Sequence, residues 1–164
     1  MASSADEIRA TIEASFTAFL KRQNVSPGQE KQPPWSSYIL PDTLWYVKPD
    51  SFIAEHPFFK GVKTIAEHEE HVAQEAGVIE ESRHKILHSV YDSSARRASA
   101  IVEHWTKLFG KEPSAIEVCW YVDFTENGKM ISRVTQFIDT ALGAKMVKGL
   151  AEGGYDMDKA DTKK

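Results

Sequence analysis

The sequence contains a single cysteine, Cys119, so neither an intrachain disulfide nor a metal site of clustered thiolates is open to it. Set in an apolar stretch, that thiol reads as a buried structural residue. No apolar run approaches the roughly 20 residues of a membrane-spanning helix, and the N-terminus lacks the apolar core of a secretory leader. The expectation is a cytoplasmic protein with no membrane partner. A basic excess is also missing. Lys and Arg number 20 against 24 Asp and Glu, a net charge of −4, whereas nucleic-acid binding calls for clustered cations. No internal repeat is present.

The chain is well supplied with bulk. Four Trp, five Tyr and eight Phe among 164 residues can build a core, an interface or the walls of a pocket. Hydrophobic and charged fractions of 41% and 27% are those of an ordinary globular domain. The length suits one domain over residues 1–152, with a polar tail over 153–164 expected to be disordered.

Ser4-Ala-Asp-Glu7 is a capping-box pattern, and Ile8, Ile12, Phe16, Phe19 and Leu20 recur behind it on one helical face. Residues 25–34 form a polar, proline-containing loop. Trp35 to Leu40 reads as a short apolar cluster with one helical turn, and Thr43–Val47 as a strand. Lys48-Pro49-Asp50 is a turn signal, and Ser51–Ala54 reads as a second short strand. Val62–Ala76 has helical spacing and ends at Gly77. Four long strand patterns follow, over 82–91, 97–109, 115–125 and 129–138. Short links between them predict an antiparallel meander, and Asn127-Gly128 suits a two-residue hairpin turn. Thr140–Leu150 is the last helix. Ile116, Val118, Trp120, Val122 and Phe124 line one strand face, with Cys119 and Tyr121 on the other. A sheet with bulk on both faces must cover both, and helices on one side with a sheet-to-sheet homodimer on the other do so.

Four pieces of sequence carry a resemblance: Leu44-Trp45-Tyr46-Val47; Pro57-Phe58-Phe59-Lys60-Gly61 before a helix; Arg83-His84 opening a strand; and Asn127-Gly128 through Phe137-Ile138-Asp139. Together with the element order, they resemble the SnoaL-like branch of the nuclear transport factor two-like superfamily, which includes polyketide cyclases and relatives of scytalone dehydratase. The resemblance implies an α+β cone: a curved antiparallel β-sheet wraps a pocket, capped by N-terminal helices and a short C-terminal helix. It implies a small-molecule substrate or ligand, with no cofactor and no metal. The implied activity is acid/base chemistry, such as isomerisation, cyclisation or dehydration, on a small oxygenated polyketide- or terpenoid-like metabolite. A non-catalytic dimer that binds a ligand or a protein is the alternative, and a subunit of a larger assembly a third possibility.

Asp139 matches the position of an acid/base carboxylate in SnoaL-like cyclases, and it also stands where a helix favours an N-cap. His84 and His88, four apart on a strand, share a face and could act as its partner. His104 falls in phase on the neighbouring strand. Tyr121 could polarise a substrate oxygen. Tyr38, Trp45, Tyr46, His104, Thr135 and Phe137 are the expected pocket lining. The scytalone-type set of histidines, Tyr and Asp has no match here. His68-Glu69-Glu70-His71 has its histidines three apart, where the zinc-protease motif needs four, and reads as a solvated helix face.

Overall fold

A computed structural model describes residues 4–157. Helix α1 (Ala5–Arg22) starts from the predicted capping box: Ser4 Oγ accepts the Glu7 N–H, and the Glu7 carboxylate accepts the Ser4 N–H. Its five apolar residues are buried as a stripe. After a 3-10 turn at Trp35–Ser37 come β1 (Ile39–Lys48), α2 (Asp50–Glu55) and β2 (Val62–Thr64). Then follow α3 (Ile65–Glu75), β3 (Ile79–Asp92), β4 (Arg97–Leu108), β5 (Ser114–Phe124), β6 (Ile131–Ile138) and α4 (Thr140–Glu152). The six strands form one open sheet in the order β2-β1-β6-β5-β4-β3. β3 to β6 are the predicted meander, and β1 joins β6 in parallel. The architecture is the expected α+β cone. Among the described residues no helix is long and apolar enough to cross a membrane.

Three local readings are corrected. Ser51–Ala54 is helical, within α2: Pro49 stands at its N-cap, and Phe52 is buried. A four-residue apolar fragment has too little period to separate strand from helix. Val62–Thr64 is an edge strand paired to β1, and the helix begins only at Ile65, where Thr64 and Glu67 form a second capping box. The β5–β6 turn is longer than two residues. Thr125 N–H bonds to Met130 O at 2.8 Å, and the Asn127 side chain accepts from the Lys129 N–H and the Thr125 hydroxyl, so side-chain bonding stretches the loop to 126–129.

The core lies between the inner sheet face and the helices. Phe19 of α1 meets Trp35, Trp45 and Trp120 at ring separations of 5.9, 5.7 and 5.6 Å. Truncating such a buried aromatic costs about 3–5 kcal/mol, so this cluster fixes α1 on the sheet. The chain beyond Gly154 continues to pack: Tyr155 is 5% exposed and sits edge-on to Phe58. Within the expected polar tail, therefore, Tyr155 is core, and residues 158–164 lie outside the described residues.

Candidate functional site

Between the inner sheet face, α3 and α4 lies a cavity of about 180 Å³. Trp45, Val47, Val72, Ile116, Val118 and Leu150 supply apolar wall, while Lys63, His71, Glu75, His84, His104 and Gln136 bring polar groups to it.

The two strand histidines are held in definite tautomers. The backbone bridge between Val25 and Ser82 ties the chain after α1 to β3 and brings Asn24 beside His84. The His84 backbone N–H donates to Asn24 Oδ1 at 3.0 Å, and His84 Nδ1 lies 2.8 Å from the same oxygen. An oxygen that accepts the first bond can only accept the second, so Nδ1 carries the proton and Nε2 is left as a lone pair. On β4, His104 Nε2 accepts from Trp120 Nε1–H at 3.0 Å, which leaves its Nδ1–H as a donor. The rings are 4.3 Å apart and nearly perpendicular. Burial lowers His84 to about 4, against an upward pull from Glu75. Burial first and His84 second hold His104 well below the ordinary histidine value. The pair is therefore neutral near pH 7, one ring offering an acceptor and the other a donor.

α3 contributes the remaining groups. His71 Nε2 is 3.1 Å from Glu75 Oε1, and the Tyr155 hydroxyl lies within hydrogen-bond distance of His71 Nδ1, at 3.0 Å. Burial raises Tyr155 above the usual phenol range, so the hydroxyl stays protonated. For Glu75 burial pushes upward, but His71, its hydrogen bond and Lys63 outweigh it and hold the carboxyl below the ordinary value. Glu75 is thus an ionised, half-buried carboxylate on the wall of a largely apolar cavity. His68 is 6% exposed, stacked 3.9 Å from Trp45 and edge-on to Trp35. Neither ring nitrogen has a partner among the described residues, and burial, then Lys63, hold it neutral. β2 alternates out, in, out, which turns Lys63 inward; burial lowers its ammonium to about 8, against upward pulls from Glu75 and Glu67. Among the described residues no group of three or more His, Cys, Asp or Glu is placed to hold a metal ion.

Of the residues expected from sequence, Trp45, His84 and His104 line this cavity. His88 does not. The β3–β4 register shifts between Ile86 and His88, and the extra residue, Leu87, reverses the inward-outward alternation so that His88 is exposed. Tyr46, Thr135 and Tyr121 do come together, in one register row across β1, β6 and β5. They alternate with the buried Trp45, Val134 and Val122, however, and so stand on the outer sheet face with Phe137. Tyr38 packs against the core beside the 3-10 turn and does not reach the cavity lining. Asp139 is exposed and outside the lining; its carboxylate accepts the Leu142 N–H at 3.0 Å as the N-cap of α4. The supposed solvated face of α3 is half interior, because His68, His71 and Glu75 turn toward the cavity. The legible signal was Thr64…Glu67: a helix begun at Ile65 puts His68, Val72 and Glu75 on the face of Ile65.

No protein-family model and no curated protein matches the sequence. Solved structures do match the fold. BvnE pinacolase from Penicillium brevicompactum superposes with a TM-score of 0.74 at 12% identity, over 92% of this chain and 98% of that one. PrhC from Penicillium brasilianum NBRC 6234 gives 0.70 at 14% identity, over 94% of both chains. A putative SnoaL-like polyketide cyclase from Shewanella denitrificans OS-217 gives 0.60 at 12% identity, over 84% of this chain and 96% of its own.

The chain has the SnoaL-like, nuclear transport factor two-like fold.

In that fold the inner face of the cone is where His84, His104 and the α3 groups converge. Its outer face carries Tyr121 and Phe137 in the open, with Tyr46 half-buried beneath the Arg133 guanidinium.

Proposed function

We propose that this cone is an acid/base enzyme, using its own side chains, for isomerisation, cyclisation or elimination in a small oxygenated polyketide- or terpenoid-like metabolite. The observation that carries the reading is the ionised Glu75 inside a mainly apolar cavity, fixed by His71 and accompanied by a neutral histidine pair. A carboxylate held ionised, even one made a weaker base by His71 and Lys63, can take a proton from carbon next to a carbonyl if a donor holds the enolate oxygen. Glu75 is the base, the His104 Nδ1–H is the available donor, and the His84 Nε2 lone pair can accept a hydroxyl proton of the substrate. The proton taken by Glu75 returns at another carbon for isomerisation, or passes to a hydroxyl β to the carbonyl, whose C–O bond breaks and which departs as water, for elimination. A neighbour of similar fold is named a pinacolase and another a putative polyketide cyclase, which fits a cavity of this kind.

The test is solvent exchange. A panel of enolisable cyclic ketones and lactones is incubated with the protein in D₂O and followed by mass spectrometry. Wild type should speed deuterium uptake beside a carbonyl, and Glu75→Gln should remove about 100-fold or more of that rate, the usual worth of a general base. Absence of any exchange above buffer contradicts the proposal.

The outer sheet face supports a homodimer. Leu44, Tyr121 and Phe137 are 40%, 50% and 48% exposed there, an apolar surface a second sheet would cover. Light scattering of wild type against Tyr121→Lys tests this: the variant should be monomeric, and an unchanged mass argues against the sheet as the interface.

A further inference from the structure

The mechanism above leaves Lys63 unused. It is 6% exposed, yet among the described residues no hydrogen bond or ion pair ends on its ammonium, while its charged neighbours are engaged. Glu67 pairs with Lys60 and Glu75 with His71. These are the two carboxylates whose fields reach Lys63, and neither comes within ion-pair distance of it. A buried charge without a contact partner is held at a cost to folding, which a bound counter-ion would offset.

Lys63 can also be reached. With Phe59 and His71 it belongs both to the cavity and to a smaller cleft of about 40 Å³ lined by Lys60, Glu70 and Tyr155. These three side chains are the partition between cleft and cavity. Beyond Lys63 the walls are Trp45, Val47 and Val72. The volume is somewhat above the ~150 Å³ in which an apolar cavity takes up benzene. Lys63 is the one Lys or Arg among the described residues that line the cavity, and a single ammonium matches one negative charge better than a phosphate dianion.

We propose that the cavity binds a small apolar carboxylic acid, with the carboxylate paired to Lys63 and the hydrocarbon frame against Trp45 and Val47. This deepens the functional reading above, since it takes the same cavity as the substrate site; it names the substrate class as an organic monoanion, and it makes Lys63 a positioning and specificity residue.

The probes are benzoate and its neutral counterpart benzamide, titrated into the full chain by calorimetry and by the fluorescence of Trp45 and its neighbours. Wild type should bind benzoate at least tenfold more tightly than benzamide. Lys63→Met should bring the two to parity, and Lys63→Arg should keep the preference. As a check independent of any variant, amine acylation of Lys63 in wild type, read by peptide mass spectrometry, should slow several-fold with saturating benzoate. Equal binding of the two probes by wild type, a preference that survives in folded Lys63→Met, or acylation of Lys63 unaffected by benzoate would each overturn the inference. Because these readouts need no turnover, they stand or fall separately from the exchange assay on Glu75.

Discussion

His84 and His104 face each other across β3 and β4 at 4.3 Å, and each is neutral for a reason that can be tested by acid. A buried imidazole whose folded value lies below its unfolded value loses stability as pH falls. Above about 6.5 neither state is protonated there. Between 6.5 and about 4 the unfolded chain takes up a proton that folded His84 refuses, so unfolding gains ground. His104 and His68 act in the same direction. Urea unfolding from pH 7 to 4 should therefore show a loss of several kcal/mol, with His84 supplying on the order of 3 kcal/mol. A variant His84→Gln should flatten part of that slope. Unchanged slope in the variant contradicts the burial of a neutral ring.

Lys63 predicts the opposite kind of variant. Below pH 8 its ammonium is charged in both states, and the cost of burying it is present in full. From about 8 to 10.5 the folded amine is neutral while the unfolded one still holds its proton, and the cost fades. Lys63→Met should thus be more stable than wild type at pH 7, by about 3 kcal/mol, with the gain shrinking toward pH 10. Thermal unfolding at both pH values measures it; a destabilised Met variant at pH 7 would show that the ammonium is stabilised by contacts of its own.

Asp139 is predicted to matter through α4. Replacing the cap by Ala should cost about 1 kcal/mol, and replacing it by Asn a few tenths, since Asn also caps. Denaturant midpoints of the two variants decide this. A large loss in the Asn variant would mean the charge itself is needed.

Gly128 is held at φ +73° in the β5–β6 turn, and a Cβ there would lie 3.0 Å from Ile12 Cγ1 of α1. Gly128→Ala should destabilise by about 1–3 kcal/mol, combining the left-handed backbone with the contact. A neutral effect would mean that α1 moves aside freely.

Much of the fold could be read from the sequence because local and tertiary demands agree. The Ser4 capping box begins α1, and the alternation Ile116, Val118, Trp120, Val122, Phe124 does form the buried face of β5. The site was harder to read. One extra residue at Leu87 moved His88 to the outside, and a bulge leaves no hydrophobic signature when the strand is bulky on both faces. Lys63 and Glu75 were obscured by their charge, since such residues are almost never enclosed without a partner or a purpose. The acidic neighbours of His68 suggest a solvent-facing residue; its phase relative to Ile65 is the better guide.

The central claim is that proton transfer belongs to the cavity group around Glu75, and the rate of solvent exchange in one matched pair of variants tests it most directly. With whichever ketone wild type exchanges, Asp139→Asn should keep the rate within about twofold, while Glu75→Gln should lose about 100-fold. The reverse result, with Glu75→Gln active and Asp139→Asn inactive, would move the chemistry to the head of α4 and contradict the account.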